Sequence, residues 1–204
     1  MKGHETRARG RSFGLVAVVA AFMAAAFVPS LTQTATAASC PAPSKTVNPF
    51  LPWGDANDYV LTTGGSFEPV SPSWTLRGGA TVVSGDNAPN ALDPVTDSHA
   101  LYLPPGSSAT SACTTAPKIV GIVRFFVKSA ALTTGQLRVE VLVKGSVYQA
   151  GTITAGALWE PSPMLVSDAP AYSGSVAYQV RLTPIGTDAA FTVDDVYFDP
   201  YCSC

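Results

Sequence analysis

The sequence has few charged side chains and almost no histidine. Asp, Glu, Lys and Arg make up 13% of its 204 residues, well below the roughly 25% of an average soluble domain. The formal net charge of −2 leaves no basic excess for a nucleic-acid-binding surface. Hydrophobic residues reach 47%, too many for a disordered chain. We therefore expect a folded protein that does not bind nucleic acid.

Recognisable catalytic motifs are also missing. The sequence has no Gly-x-Ser-x-Gly elbow, phosphate-binding loop or dinucleotide fingerprint. Its two histidines are too few for a multi-histidine metal centre, and His99 is the one beyond the N-terminal region. A nucleophile needs a positioned base and a third group that orients it, so we expect His99 to be a structural histidine. The sequence predicts a protein that is not an enzyme, with glycoside hydrolysis by two carboxylates as the weakest alternative.

The N-terminus has the pattern of a secretory signal peptide. Residues 1–12 are basic, and residues 13–28 are an uncharged apolar run of 16 residues, shorter than the roughly 20 needed to cross a bilayer. The small-residue site Ala35-Thr36-Ala37 follows. We predict a signal peptide over residues 1–37 and a secreted, extracellular product of the general secretory route. No later apolar run is long enough to span a membrane.

Removal of residues 1–37 changes the charge and leaves one domain. The remaining 167 residues carry eight basic and thirteen acidic side chains, a formal net charge of −5. The positive mean hydropathy of +0.23 owes much to the leader. Residues 38–57 are rich in proline and predict an extended N-terminal segment without an element of its own. Residues 58–204 are long enough for one domain with a full core.

All four cysteines lie in the exported part, where disulfides persist: Cys40, Cys113, Cys202 and Cys204. Four cysteines allow three pairings. We favour Cys40 with Cys113, which leaves Cys202 with Cys204. Zinc is disfavoured because no Cys-x-x-Cys or Cys-plus-His spacing is present. Acylation at Cys40 is a weaker alternative, because Ala37 stands where a lipoprotein site has a large aliphatic residue.

Side-chain alternation with a period of two predicts strands through most of the exported chain. Residues 136–144 and 175–183 each place apolar side chains on one face and polar ones on the other, as half-buried strands do. Residues 118–128 are apolar on both faces, which predicts a central strand covered on both sides. Shorter candidates, separated by Gly and Pro turns, are residues 59–62, 66–68, 73–77, 80–84, 98–103, 108–113, 146–154, 164–167 and 190–198. The pattern predicts an all-β fold, an antiparallel β-sandwich of about eight to eleven strands.

The last predicted strand changes register. Phe191 and Val193 have one parity, and Val196 and Phe198 have the other. A one-residue bulge at Asp194-Asp195 would account for the change. Because the termini of a sandwich are usually neighbours, Glu68 near the start of the domain is expected to approach these two aspartates. Carboxylates with backbone carbonyls would form a structural Ca²⁺ site; the alternative is that Glu68 and one aspartate are solvated charges and the other aspartate caps the bulge.

Exposed aromatic rings are the other candidates for a binding site, because they stack on the apolar faces of sugars. Trp74 and Tyr178 alternate with aliphatic residues and are expected in the core. Trp159, which precedes a proline-rich turn, and Tyr148 are the predicted ligand-binding residues. The alternative for both is an ordinary surface or core position.

Several short motifs resemble carbohydrate-binding modules with the galactose-binding-like jelly-roll fold. They are Ser-Phe-Glu at 66–68, Trp-Thr-Leu at 74–76, the strand at 98–103, and Phe-Thr-Val-Asp-Asp-Val at 191–196. The chain beyond the leader is also similar to a group of secreted proteins of high-GC Gram-positive bacteria. The resemblance implies a jelly roll and a structural Ca²⁺ site at Glu68 with Asp194 or Asp195. It does not carry over a sugar site, because no stacking aromatic matches a defined position.

The sequence thus predicts a secreted, non-catalytic β-sandwich that binds carbohydrate or another cell-envelope component. The alternative is a structural or adhesion-type envelope protein with no glycan ligand.

Overall fold

A computed structural model describes residues 40–42, 45–68, 74–86, 97–116, 121–130, 135–170, 172 and 174–199, all within the compact unit Ala38–Cys204. The predicted signal peptide and the Cys202–Cys204 pair lie outside these residues. Nowhere in the described ranges does a helix have the length and apolarity needed to cross a membrane.

The described residues form β-strands and one short 3₁₀ helix. The strands are β1 (Val60–Leu61), β2 (Thr75–Arg77), β3 (Thr81–Ser84), β4 (His99–Leu103), β5 (Ser108–Thr110), β6 (Thr114–Ala116), β7 (Ile122–Ser129), β8 (Gln136–Val143), β9 (Ser146–Ile153), β10 (Glu160–Pro161), β11 (Leu165–Val166), β12 (Val176–Ile185) and β13 (Phe191–Asp199). The predicted strands recur with shifted ends, except at residues 66–68.

The strands pair antiparallel in two sheets. The seven-stranded sheet has the order β10-β7-β13-β4-β3, with β1 also on β13 and β11 also on β7. The six-stranded sheet has the order β2-β5-β12-β8-β9, with β6 also on β12. The chain passes repeatedly from one sheet to the other, as in a jelly roll. The prediction of an all-β antiparallel sandwich is confirmed, but the described residues form thirteen strands and not the eight to eleven expected.

The main core lies between the two sheets. Alternate residues of the long strands face it, and Leu137, Val139 and Val141 of β8 are fully buried there. Tyr178 and Trp74 belong to the same cluster, as their spacing predicts. Burial of each such side chain stabilises the fold by roughly 1.5–3 kcal/mol.

Strands β7 and β13 are buried on both faces. Val123, Phe125 and Val127 of β7 face the main core, whereas Ile122 and Phe126 belong to a second apolar cluster on the other side of the seven-stranded sheet. This confirms the prediction that the segment is a strand covered on both sides. We call this second group, Phe50, Tyr59, Ile122, Phe126 and Tyr197, the outer aromatic cluster.

The N-terminal segment covers that side of the seven-stranded sheet. Val47 forms a β-bridge with Tyr59, and Phe50 enters the outer aromatic cluster with its ring centroid 5.3 Å from that of Phe126. The expectation of a segment without an element is wrong at residues 51–53, which form a 3₁₀ helix. A proline in its first turn and Gly54 in the left-handed conformation at its end explain the turn.

Residues 66–68 do not form the predicted strand. Phe67 has a positive φ of 56° and lies in a turn, with its ring packed 5.0 Å from Trp74 between centroids. Phe67 is therefore a core residue, as alternation suggests, but the backbone bends to place it. The prediction failed because residues 62–67 bend to pair with β13, a contact between distant parts of the sequence.

The favoured disulfide between Cys40 and Cys113 is present, with the two Cα atoms 5.2 Å apart. It joins the start of the domain to the segment between β5 and β6. Nearby, the backbone N–H of Thr115 donates to the carbonyl of Pro41 at 2.8 Å.

We predict that Cys40→Ser with Cys113→Ser lowers the free energy of unfolding by about 4 kcal/mol, because the bond closes a long loop in the unfolded chain. Chemical denaturation of the exported protein measures it. The control is Cys202→Ser with Cys204→Ser, which removes as many sulfur atoms from cysteines separated by one residue. Equal losses in the two double variants would contradict the role given to Cys40–Cys113.

Candidate functional site

Strand β13 contains the predicted bulge. Asp194 is opposite Phe126, yet Tyr197 is opposite Arg124, so β13 has one more residue than β7 between these pairs. Asp195 adopts the strained left-handed backbone conformation of the bulge, with a φ of 48°. The extra residue allows Val193 and Val196 both to face the main core, and it places Asp194 and Asp195, exposed by 0% and 1%, inside the protein.

The turn that precedes Glu68 is attached to this bulge. The N–H of Thr62 donates to the carbonyl of Val196 at 2.9 Å, and the N–H of Val196 donates to the carbonyl of Gly65 at 3.0 Å. A Cβ at Gly65 would lie 2.6 Å from Thr62 Oγ1 and 2.7 Å from the Val196 carbonyl oxygen. Only glycine therefore fits, and the close approach positions Glu68 beside the start of β4.

Glu68 holds the residues that lead into β4. Its Oε1 accepts hydrogen bonds from the N–H groups of Ser98 at 2.7 Å and His99 at 2.9 Å. Its Oε2 lies 3.2 Å from His99 Nδ1. Burial alone would raise the pKa of Glu68, but the hydrogen bonds from Ser98 and His99 lower it below its usual value. His99 thus has the local hydrogen bond expected of a structural histidine.

Asp97, just before β4, completes a group of three carboxylates. One oxygen from each of Asp97, Asp194 and Asp195 lies within 4.8 Å of the others, and Asp97 is only 7% exposed. Asp97 is not among the residues that the sequence predicts for this site. The sequence shows that Asp97 lies beside a predicted strand. It does not show that β4 pairs with β13, the pairing that brings Asp97 to the bulge.

The electrostatics of this carboxylate group oppose full ionisation. Burial, followed by the charges of Asp195 and Glu68, raises the pKa of Asp97 to about 7. Asp97 Oδ1 has no hydrogen-bond partner in the part of the chain that the structure describes. Burial and the nearby charges of Asp195 and Asp194 also raise the pKa of Tyr197. A cation at this position would relieve these effects.

The donor set fits a hard divalent cation. Ca²⁺ takes carboxylate and carbonyl oxygens, and here three buried carboxylates converge with the unpartnered Asp97 Oδ1 directed into a protein interior. The predicted set of Glu68, Asp194 and Asp195 differs from this group, because the carboxylate oxygens that lie within 4.8 Å of one another are those of Asp97, Asp194 and Asp195. The Glu68 side chain interacts with that of Asp97. Its hydrogen bonds to Ser98 and His99 hold the segment that contains Asp97.

Two tryptophans lie against the outer aromatic cluster. Trp53, at the end of the 3₁₀ helix, is 44% exposed, and its ring centroid lies 5.6 Å from that of Phe126. Trp159 is half-buried against the same cluster. It directly precedes β10, in which Pro161 is opposite Phe126. Lys128 Nζ lies 4.7 Å from the centroid of the Trp159 ring, a cation–π contact.

A buried ion pair anchors the segment that carries Trp53. Arg124 Nη1 donates to Asp55 Oδ2 at 2.6 Å, and the Tyr59 hydroxyl donates to the same oxygen at 2.6 Å. The other edge of the guanidinium donates to the Ser162 carbonyl, so one arginine joins the N-terminal segment to the segment after Trp159. Burial alone would raise the pKa of Asp55, but hydrogen bonds from Tyr59, Asn57 and Arg124 lower it.

The structure does not bring Tyr148 and Trp159 together. Tyr148 is opposite Val141 on β8, so its ring faces the space between the sheets and packs against the main core. Its hydroxyl oxygen lies 3.0 Å from that of Tyr172. The ligand role of Tyr148 therefore stays a prediction, at a place separate from the two tryptophans.

The similarities of this chain to known proteins are structural. No family model and no curated protein matches the chain. The C-terminal family 22 carbohydrate-binding module of Clostridium thermocellum Xyn10B is similar over 74% of this chain and 99% of that one, at 16% identity and a TM-score of 0.44. The CBM22-1 xylan-binding domain from Paenibacillus barcinonensis Xyn10C is similar over 80% of this chain and 100% of that one, at 14% identity and a TM-score of 0.42.

Longer structures are matched only in part. The CBM22-1–GH10 modules of Clostridium thermocellum endo-1,4-β-D-xylanase 10B, complexed with xylohexaose, give 15% identity and a TM-score of 0.43 over 71% of this chain, which spans 27% of theirs. The chain likewise spans 26% of an α-L-arabinofuranosidase and 21% of a bacteriophage tailspike protein. At these identities and TM-scores, the similarities carry no argument about ligand or activity.

Proposed function

We propose that this chain is a secreted, non-catalytic β-sandwich that binds carbohydrate through Trp53 and Trp159. The observation that carries the proposal is that both rings lie against the outer aromatic cluster, at Phe126, while Trp53 keeps 44% of its surface exposed. Exposed indole rings stack on the apolar faces of sugars, and neighbouring polar groups set the orientation. Lys128, beside Trp159, is such a group.

The anchoring of the two rings supports the same proposal. Both tryptophans stand on segments joined by Arg124, which is 6% exposed and binds Asp55 on one side and the Ser162 carbonyl on the other. The rings are therefore held before a ligand arrives, and little conformational entropy is lost on binding. This is a positioned surface rather than a pair of isolated exposed side chains.

Retention on a panel of soluble and insoluble polysaccharides tests the binding proposal. We expect Trp53→Ala and Trp159→Ala each to weaken binding about tenfold or more, the usual cost of removing a central aromatic contact. Leu158→Ala, which removes an exposed apolar side chain next to Trp159, is the control and should bind as the unchanged protein does. Failure of the unchanged protein to bind any glycan would refute the proposal and favour an envelope protein that contacts other proteins.

We further propose that Asp97, Asp194 and Asp195 hold a structural Ca²⁺ ion, with Glu68 positioning Asp97. When bound, the ion would neutralise carboxylates that burial and mutual repulsion destabilise. The support comes from the convergence of three carboxylates and the unpartnered Asp97 Oδ1.

The pKa of Asp97 gives this second proposal a pH signature. Its folded value of about 7 lies above the unfolded value of about 3.9, so the protonated form favours the fold. In chelator, we expect stability to fall as pH rises from about 4 to about 7. Calcium at 100 times its dissociation constant should add about 2.7 kcal/mol at neutral pH, a melting shift of roughly 5–10 °C.

Thermal unfolding with calcium and with chelator, across this pH range, measures both effects. Asp97→Asn should remove the pH dependence and the calcium response together, whereas Asp188→Asn, at an exposed position, should keep both. Identical melting curves with calcium and with chelator would refute the ion site.

A further inference from the structure

The outer face of the six-stranded sheet differs in chemistry from the surface that carries the tryptophans. Strand register places one polar row across it, in the order Thr75, Thr110, Arg181, Glu140 and Gln149. A second row runs alongside, in which Arg77 is opposite Ser108, and Arg138 is opposite both Thr183 and Thr152. Except for Glu140, these side chains are exposed or half-buried.

Two arginines on this face bracket one carboxylate and keep most of their donors. Arg181 Nε donates to Glu140 Oε2 at 2.7 Å, and Arg138 Nε lies 3.5 Å from Glu140 Oε1. The side chains of Arg138 and Arg181 remain 40% and 31% exposed. Within the described residues the terminal nitrogens of both groups form no hydrogen bond, so each guanidinium presents a free edge to solvent.

The face is positive on a chain that is negative. Beyond residue 37 the sequence has eight basic and thirteen acidic residues, yet the outward positions described on β2, β5, β12, β8 and β9 carry three arginines and one acid, Glu140. Arg77 makes no ion pair with any described residue. With strands about 4.8 Å apart, Arg77 and Arg138 stand roughly 14 Å apart, so the charge is spread along a line.

The face ends in a pocket beside the disulfide. It has a volume of about 250 Å³ and is lined by Cys40, Cys113, Leu142, Lys144, Ala177 and Gln179, among others. Leu142 and Gln179 are opposite each other in the sheet, so the pocket continues the same surface. Lys144 adds a fourth basic side chain at this end.

We propose that this face binds an acidic polysaccharide through its carboxylate groups. Guanidinium groups bind carboxylates by two parallel hydrogen bonds, and the threonine and serine hydroxyls between the arginines suit sugar hydroxyls. The outward positions described on these strands carry no aromatic side chain, so stacking on neutral sugars does not explain the face. The line of separated charges fits a polymer with one charge on each sugar.

This second site is independent of Trp53 and Trp159, which pack against the outer aromatic cluster on the other sheet. Binding of polygalacturonate is the test, measured by affinity electrophoresis beside its methyl-esterified form and poly(glycerol phosphate). We expect the protein to bind polygalacturonate, to bind the esterified form at least about tenfold more weakly, and to lose affinity as salt rises.

Variants locate the site. Arg77→Gln and Arg138→Gln should each weaken binding to polygalacturonate about tenfold, the cost of a hydrogen bond to a charged group. Lys45→Gln, an equal change of charge on the exposed N-terminal segment, should have no such effect. Arg181 is left unchanged because it neutralises the buried Glu140. Unaltered thermal unfolding of each variant shows that the fold is kept.

Three results would overturn the proposal: no binding to polygalacturonate, equal binding of the esterified polymer, or preference for poly(glycerol phosphate). A loss common to Lys45→Gln and the arginine variants would show unspecific charge attraction and would also refute it. Retention on neutral polysaccharides tests the tryptophan surface separately, since the arginine variants should leave that binding unchanged.

Discussion

The burial of charge on β13 is the constraint on which the rest of the structure depends. All nine residues of this strand are buried, and three of them are aspartates. A buried carboxylate must be hydrogen-bonded, paired or bound to a cation, because transfer from water is otherwise too costly. The bulge at Asp195 directs Asp194 and Asp195 towards Asp97 while Val193 and Val196 keep their places in the core, and the proposed cation would meet this requirement. The turn at Gly65 and the hydrogen bonds of Glu68 then hold the surrounding loops to the same strand.

The central strands β7 and β13 of the seven-stranded sheet are covered on both faces, whereas the six-stranded sheet is covered only on its inner face by described elements. On the first sheet, the buried Arg124 guanidinium donates hydrogen bonds to Asp55 and the Ser162 carbonyl. Its carbon lies 4.1 Å from the centroid of the Phe50 ring. A buried pair of this kind adds specificity of arrangement more than net stability. It links the two segments that carry the tryptophans. The open face of the second sheet leaves its arginines accessible, so the two sheets present different chemistry to solvent.

Much of this fold follows from local patterns, and the sites do not. The alternation in β8 and β12 predicts their inward faces, and the change of parity in β13 predicts the bulge, because both are properties of adjacent residues. The turn at Phe67 breaks the pattern because it serves a contact with Val196. Asp97 and Arg124 were missed for the same reason: each acquires its role from a strand or segment distant in sequence. Glu68 lies near the bulge of β13, as expected, but its hydrogen bonds to Ser98 and His99 give it a positioning role and not that of a ligand.

We propose that the bulge of β13 gathers three carboxylates around one cation. The decisive measurement is a high-resolution structure of the exported protein from crystals grown at neutral pH with calcium. We expect one ion bound to an oxygen from each of Asp97, Asp194 and Asp195, at the 2.3–2.6 Å typical of calcium ligands. Carboxyl groups that instead share a proton and hydrogen-bond to one another, with no ion between them, would contradict it.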